Sequence, residues 1–269
     1  MPDVIRIALG LILGAMIAYL ALQARSLNRG GAWAAALTGG LVFGFGGLAW
    51  SAVLLSFFIS SSALSRLFAA RKSGIDEKYA KGSRRDWAQV LANGGLGAIL
   101  AVAFGMFPNQ QWQWIAFSGA MAAVTADTWA TEIGVLNPTL PRLITNGRVV
   151  ERGTSGAVTL MGYMAVLAGS ALIGVVAALF ETSSAFLLIG LALIAGLAGS
   201  SVDSLLGATL QAVYYCPVCK KETERHPRHS CGALTIHKRG WSRLNNDWVN
   251  FICSLVGASA ALVTWLLLA

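Results

Sequence analysis

Long apolar runs recur along the whole chain, at residues 4–22, 32–48, 50–68, 88–107, 114–134, 156–179, 184–212 and 248–268. Each is close to the ~20 residues that an α-helix needs to cross ~30 Å of hydrocarbon. Lipid offers backbone amides no partner, so a spanning segment must satisfy them itself, and runs of this length do so as helices. Hydrophobic residues fill 56% of the 269 positions and charged residues only 12%, against the ~25% charge usual in a soluble domain. The polar remainder is too small to coat a soluble core. The expected fold is all-α, a polytopic transmembrane bundle of seven or eight helices making one integral membrane domain over residues 1–269. The count stays open because little but glycine separates the second run from the third. Residues 4–22 lack a basic stretch before them and a small-residue cleavage site before Arg25, so they read as a first membrane helix.

The basic residues alternate with the runs. Counting the connections in order, the first carries Arg25 and Arg29, and the third carries Arg71, Lys72, Lys78, Lys81, Arg84 and Arg85, with Arg66 at its edge. The fifth carries Arg142, Arg148 and Arg152, and the seventh carries Lys220, Lys221, Arg225, Arg228, Lys238, Arg239 and Arg243. The second, fourth and sixth carry no Lys or Arg, and only Arg6 falls outside the pattern. The positive-inside rule then places the odd connections in the cytoplasm of a multi-pass protein, in a bacterial plasma membrane or its equivalent. The regularity favours eight helices. It also accounts for the net charge of +8 without nucleic acid, and a basic inner face attracts anionic lipid.

Against this background the stretch TADTWATEIG, residues 125–134, is costly, because it places Asp127 and Glu132 in an apolar helix. A carboxylate at a membrane-helix centre costs roughly 2.5–3.5 kcal/mol on insertion scales. With the orientation set by the charges, Asp127 and Asp203 lie in the inner halves of helices that run outside to inside. Asp86, Asn93, Asn246, Asp247 and Asn250 lie at the same level, at the starts of helices that run back. Oxygen ligands of this kind suit Mg²⁺. Asp127, Asp203 and Asp247 are the expected Mg²⁺ ligands, and these three with Asp86 and Lys81 are the expected catalytic set. Gly199, Asp203 and Gly207 share a small-residue stripe that lets a ligand or a backbone approach. Glu132, five residues beyond Asp127, lies on another face and is expected to meet a cation from a loop.

The opposite charge comes from the connections. KGSRRD (81–86) brings Arg84 and Arg85 beside Lys81, and Arg29 stands before the second run. RGTSG (152–156) brings Arg152, Thr154 and Ser155 to the expected start of the sixth helix, where free N–H groups and the helix dipole favour an anion. These residues, with Asn93, Asn246, Asn250 and Glu132, make the expected phosphate and nucleotide surface. Cations, carboxylates and a glycine-bearing helix start at one depth suit phosphoryl transfer, which asks a protein for positioning and electrostatics. No GxxxxGK[ST] pattern is present, so a P-loop is excluded.

The seventh connection, residues 213–247, holds CPVCKKETERHPRHSC. Cys216, Cys219 and Cys231 with His229, or with His226 in its place, make a Cys₃His set suited to structural zinc. A cytoplasmic loop does not favour disulfides. Cys253 falls in an apolar run and reads as core.

The ordered motifs SLNRGGAWAAALTGGLVFGFGG, KGSRRDWAQVLANGG, ADTWATEIG, RGTSGAVT, GSSVDSLLGATLQ and RGWSRLNNDWVNF resemble the integral membrane family related to human transmembrane protein 19, the DUF92 family, over nearly the whole chain. That family resembles phytyl-phosphate kinase and, distantly, CTP-dependent polyprenol and dolichol kinases. The resemblance implies a Mg²⁺-dependent kinase that moves a phosphoryl group from a nucleoside triphosphate, CTP or another, to a prenyl or phytyl monophosphate. Expected partners are that lipid, the nucleotide, membrane lipids and a further copy of the chain. Two rivals are an ion-coupled transporter and a nucleotidyltransferase that makes a CDP-lipid. Carboxylates gathered near one face and not at the midplane favour the enzyme.

Overall fold

The computed structural model describes residues 4–69, 84–108 and 110–268. Among these it contains eight α-helices: α1 (Val4–Gln23), α2 (Arg29–Leu41), α3 (Leu48–Leu67), α4 (Trp87–Met106), α5 (Gln111–Gly134), α6 (Leu160–Ala178), α7 (Ala185–Thr209) and α8 (Asn246–Leu268). The protein is a polytopic helical membrane protein. Six helices are long and apolar enough to span, namely α1, α3, α4, α6, α7 and α8. The two that fall short do so for different reasons. α2 has only 13 residues and runs on through a π-helical turn, Val42–Gly46, to Gly47 at φ 79°. α5 has 24 residues but carries Gln, Thr, Asp and Glu among its apolar ones.

α5 tolerates those polar residues because it meets almost no lipid. Its residues 113–126 are buried without a break, and α3, α4, α6, α7 and α8 all pack against it. Phe117, Ala120, Met121 and Ala122 are 0% exposed. Near the start of α3, Trp50 packs at a tilt on Phe117 with ring centroids 4.4 Å apart, and Phe104 and Trp114 close the same aromatic cluster. Small residues set the helix separations, as is usual where dispersion and not hydrophobicity drives association. A Cβ on Gly119 would lie 2.6 Å from the Gly257 carbonyl oxygen on α8, and one on Gly14 would lie 2.6 Å from that of Ala36 on α2.

Four helix starts gather at one end of the bundle, each with a polar cap. Asn28 Oδ1 accepts from Gly31 N at 2.7 Å, and Asp86 Oδ1 accepts from Gln89 N at 2.9 Å. Thr159 Oγ1 accepts from Gly162 N at 2.9 Å, and Asn245 Oδ1 accepts from Trp248 N at 3.1 Å. Capping relieves the unpaired N–H groups of a first turn. The sixth helix therefore starts at Leu160 and not at the expected residue 156. Ala157–Val158 (β2) pairs instead with Arg142–Leu143 (β1), so RGTSG forms a turn before a strand and offers no helix N-terminus to an anion. At the same end Asn28 N donates to Arg85 O and Arg85 N to Ser26 O, both at 3.0 Å, joining the α1–α2 turn to the segment before α4. The Cys/His connection folds into a small antiparallel sheet, with β3 (Val213–Cys216) between β4 (Lys221–Thr223) and β5 (Ile236–Arg239). Arg239 Nη1 reaches the last carbonyls of α7, Gly207 O at 3.1 Å and Ala208 O at 3.0 Å, and anchors the sheet to the bundle.

The α5–α8 contact leaves no room for a side chain. A Cβ on Gly257 would sit 2.4 Å from Ala123 Cβ, whereas one on Gly190 meets nothing within 4 Å. Gly257→Val is expected to destabilise by about 1–3 kcal/mol through overpacking. Gly190→Ala is expected to leave the thermal midpoint unchanged or slightly raised. Thermal unfolding of the two variants in detergent, followed by tryptophan fluorescence, checks both.

Candidate functional site

At the capped end the helices part around a cavity of about 360 Å³, within the roughly 300–1,000 Å³ range of small-molecule sites. Three carboxylates reach it from three helices: Asp127 from α5, Asp203 from α7 and Asp247 from the first turn of α8. Asn93 of α4 and Asn246 and Asn250 of α8 add carboxamides. Asn93 and Asn250 are 6% and 9% exposed, so their amides face the cavity and not solvent. Ser200 of α7 lies one turn from Asp203, and its hydroxyl makes a long 3.4 Å contact to Asp127 Oδ1. Asp203 feels the charges of both Asp127 and Glu224, and its Oδ2 is buried with no hydrogen-bond partner among the described residues.

Arg85 is the cation built most deeply into this wall. It is 8% exposed and lies over the rings of Phe57 and Phe58, with centroid distances of 5.4 and 5.6 Å. Burial pulls its pKa down from the usual arginine value to about 10, and the charge of Glu132 works against that fall. Glu132 lines the same cavity and accepts from Ser65 Oγ at 2.8 Å. The helical offset that separates it from Asp127 thus turns it toward α3 and Arg85 without taking it out of the site. Arg152, Thr154 and Ser155 also line the cavity. Arg152 Nη2 is held by the carbonyls of Asn137 at 2.7 Å and Pro138 at 3.0 Å, and Thr154 Oγ1 donates to Glu151 O at 2.8 Å.

Three expected residues stand elsewhere. Asp86 spends an oxygen on the cap of α4, Arg29 is the first residue of α2, and Arg84 is exposed; none of them lines the cavity. Asp86 is a helix-capping residue by position, because its backbone is extended just where α4 begins. Lys81 lies outside the described residues.

The structure adds a carboxylate that spacing does not reveal. Glu224, just beyond β4, lines the cavity and accepts from Ser155 Oγ and from Gln211 Nε2, both at 2.8 Å. It sits within the Cys/His connection, 21 residues after Asp203 in the chain, and only the folding of the small sheet returns it to the bundle. The one sequence signal for it is its place between the second and third cysteines of a motif that fixes its own geometry.

That motif closes. Cys216, Cys219, Cys231 and His229 form a group whose ligand atoms lie within 4.8 Å of one another and that could hold a metal ion. Cys216 Sγ is 3.6 Å from Cys231 Sγ, and His229 Nδ1 is 3.4 Å from Cys231 Sγ. Zn–S bonds of about 2.3 Å in a tetrahedron put sulfurs roughly 3.8 Å apart. The Cys219 backbone N–H points at Cys216 Sγ from 3.4 Å and lowers its pKa, favouring the thiolate a metal needs. His229 and not His226 completes the set. His226 stacks on Tyr214 at a centroid distance of 4.4 Å, and the turn between His229 and Ala233 bends back so that His229 and Cys231 point the same way.

The integral membrane protein family DUF92 matches residues 12–258. The chain belongs to that family. It is 32% identical to Protein PGR of Arabidopsis thaliana, over 93% of each chain. It is also 32% identical to an uncharacterised membrane protein of Methanocaldococcus jannaschii, over 96% of this chain and 93% of that one. An uncharacterised membrane protein of a Synechocystis strain is 29% identical over 78% of this chain. No solved structure matches the chain.

A tetrahedral Cys₃His group implies about one zinc per chain in purified protein, measured by atomic emission. Cys216→Ser with Cys219→Ser is expected to lose the metal and lower the thermal midpoint. The carboxylate cavity is expected to change too, since Glu224 follows a strand of the same small sheet. His226→Ala is expected to keep the metal.

Proposed function

We propose that the protein is a Mg²⁺-dependent prenyl-phosphate kinase acting at the cytoplasmic face, with the whole chain serving as one membrane domain. The observation that carries this reading is the convergence of Asp127, Asp203 and Asp247, from three helices, on one cavity that also holds Arg85. A prenyl monophosphate keeps its tail in lipid and its head at the surface. A cavity at one end of the bundle suits such a head better than it suits ion movement across the membrane, which favours an enzyme over a transporter.

The donor set has the chemistry that a hard divalent cation takes. Its carboxylate and carboxamide oxygens come from separate rigid helices, and the buried Asp203 Oδ2 lacks a protein partner among the described residues. Such a cation, when bound, would neutralise charge on the nucleotide phosphates. Asp127, Asp203 and Asp247 would hold it, and Asn93 and Asn250 would orient phosphate oxygens beside it. Arg85 would balance negative charge on the transferring group from the opposite wall. In the reaction, an oxygen of the prenyl phosphate bonds to the terminal phosphorus of the nucleotide, and the bond from that phosphorus to the bridging oxygen breaks. The products are prenyl diphosphate and nucleoside diphosphate. The attacking oxygen is already ionised at neutral pH, because a phosphate monoester loses its second proton near pH ~6. No general base is therefore required.

Asp127→Asn and Asp203→Asn keep shape and remove charge. Each is expected to abolish turnover, by at least about 100-fold as for loss of one preorganised electrostatic group, while the protein still inserts and binds its zinc. Glu132→Gln is expected to be milder, since its partners are Ser65 and Arg85. The assay uses radiolabelled nucleoside triphosphates, Mg²⁺ and prenyl monophosphates of several chain lengths. Near-normal rates for both Asp variants would remove the proposed metal site, release of pyrophosphate would identify a nucleotidyltransferase, and transport without product would identify a carrier.

A further inference from the structure

Beside the carboxylate cavity lies a second, smaller one of about 70 Å³, lined by Ala69 and by six polar residues, Arg25, Ser26, Ser62, Ser65, Arg66 and Arg85. Three parts of the chain build it. The α1–α2 turn supplies Arg25 and Ser26, the end of α3 supplies Ser62, Ser65 and Arg66, and the segment before α4 supplies Arg85. The bonds between Arg85 N and Ser26 O, and between Asn28 N and Arg85 O, hold turn and segment together. Arg66 Nη2 ties the end of α3 to the same turn, donating to Ala24 O and, at 2.6 Å, to Ser26 Oγ. Arg25 adopts a left-handed backbone, with φ 57°, uncommon for a side-chain-bearing residue.

Three arginines thus line one pocket. Glu132 acts on Arg85 and accepts from Ser65. Arginine only donates hydrogen bonds, and Arg85 Nη1 is buried with no partner among the described residues. Arg66 spends its Nη2 on the turn, which leaves its other donors. Arg25 and Arg66 reach the pocket from exposed positions, whereas Arg85 is buried, and an orphaned donor on a buried cation costs free energy unless an acceptor with negative charge fills the space. The hydroxyls of Ser26 and Ser62 add neutral donors at the same pocket, whereas that of Ser65 donates to Glu132. This chemistry matches a phosphate, whose several acceptor oxygens take forked arginine contacts.

We infer that Arg25, Arg66 and Arg85, with Ser26, Ser62 and Ser65, form a binding site for a phosphate monoester group, separate from the carboxylate cavity and independent of any divalent cation. The volume holds a phosphate and not a nucleoside. The site does not rest on the kinase reading, because no carboxylate among the described residues lines it. Ser65 and Arg85 belong to both walls, so an anion here also fixes the position of Arg85 beside Glu132. The phosphate can come from a lipid headgroup or from solution.

The test is equilibrium binding of radiolabelled inorganic phosphate to full-length protein in detergent with EDTA present, which leaves the carboxylate cavity without a cation. Saturable binding near one phosphate per chain is expected. Arg25→Gln, at an exposed position, and Ser62→Leu, which fills the pocket, are each expected to weaken it at least tenfold, and Asp127→Asn is expected to leave it unchanged. Nanodiscs supply the second arm. Displacement of the label by discs containing phosphatidic acid, but not by discs of phosphatidylcholine alone, identifies a lipid headgroup. Retention of the label in both identifies soluble phosphate. No saturable binding by the wild type, or equal binding by wild type, Arg25→Gln and Ser62→Leu, would overturn the inference, as would loss of binding in Asp127→Asn alone. Kinase assays of the same proteins separate this outcome from the fate of the phosphoryl-transfer reading.

Discussion

A carboxylate buried in a helical membrane protein has to be taken out of lipid by protein, and α5 is where that requirement bears hardest. Asp127 and Glu132 sit within 24 residues that also include threonines and glutamines. Such a helix is stable only when other helices replace the lipid around it. Five of them do, and the glycines at 119 and 257 let the nearest approach to backbone contact. With α5 sealed through Ala126, polar groups emerge only in its last turns. The cavity begins there because that is where the wall of helices opens.

The same end of the bundle carries its charge in two opposed sets. Carboxylates come from the ends of α5 and α7 and the start of α8, and the buried arginine comes from the segment before α4. Helix starts at this end need capping side chains, and that need consumes some polar residues that a motif would assign to chemistry. Asp86 is the clearest case, with its Oδ1 on Gln89 N. Asp127, Asp203 and Asp247 line the cavity. Under the proposed kinase reading this division is functional, because phosphates need cation-holding carboxylates on one side and guanidinium donors on the other.

The Cys/His connection gains a second role from its geometry. Its Cys/His group could hold a metal ion that braces the loop, and as the carrier of Glu224 the connection also contributes to the cavity wall. Arg239 fixes it to the end of α7 and Glu224 fixes it to Ser155 and Gln211. A metal held there would therefore bear on the charge lining the cavity as well as on the stability of the loop.

The sequence by itself determined the membrane character, the all-helical class, the alternation of basic loops and the level at which Asp127, Asp203, Asp247, Asn93 and Asn250 meet. All of these follow from periodic, local physics: run length against hydrocarbon thickness, and helical rise per residue. It also contained the Cys₃His set, because close spacing limits how such ligands can fold. Which histidine completes that set, the late start of α6 at Leu160, the capping duty of Asp86 and the return of Glu224 to the cavity were decided only in the tertiary structure. The meeting of Arg25, Arg66 and Arg85 belongs with them, since it depends on two hydrogen bonds between segments nearly 60 residues apart. Short-range patterns report which face and depth a residue occupies. They do not report which distant backbone lies opposite, and these features depend on that.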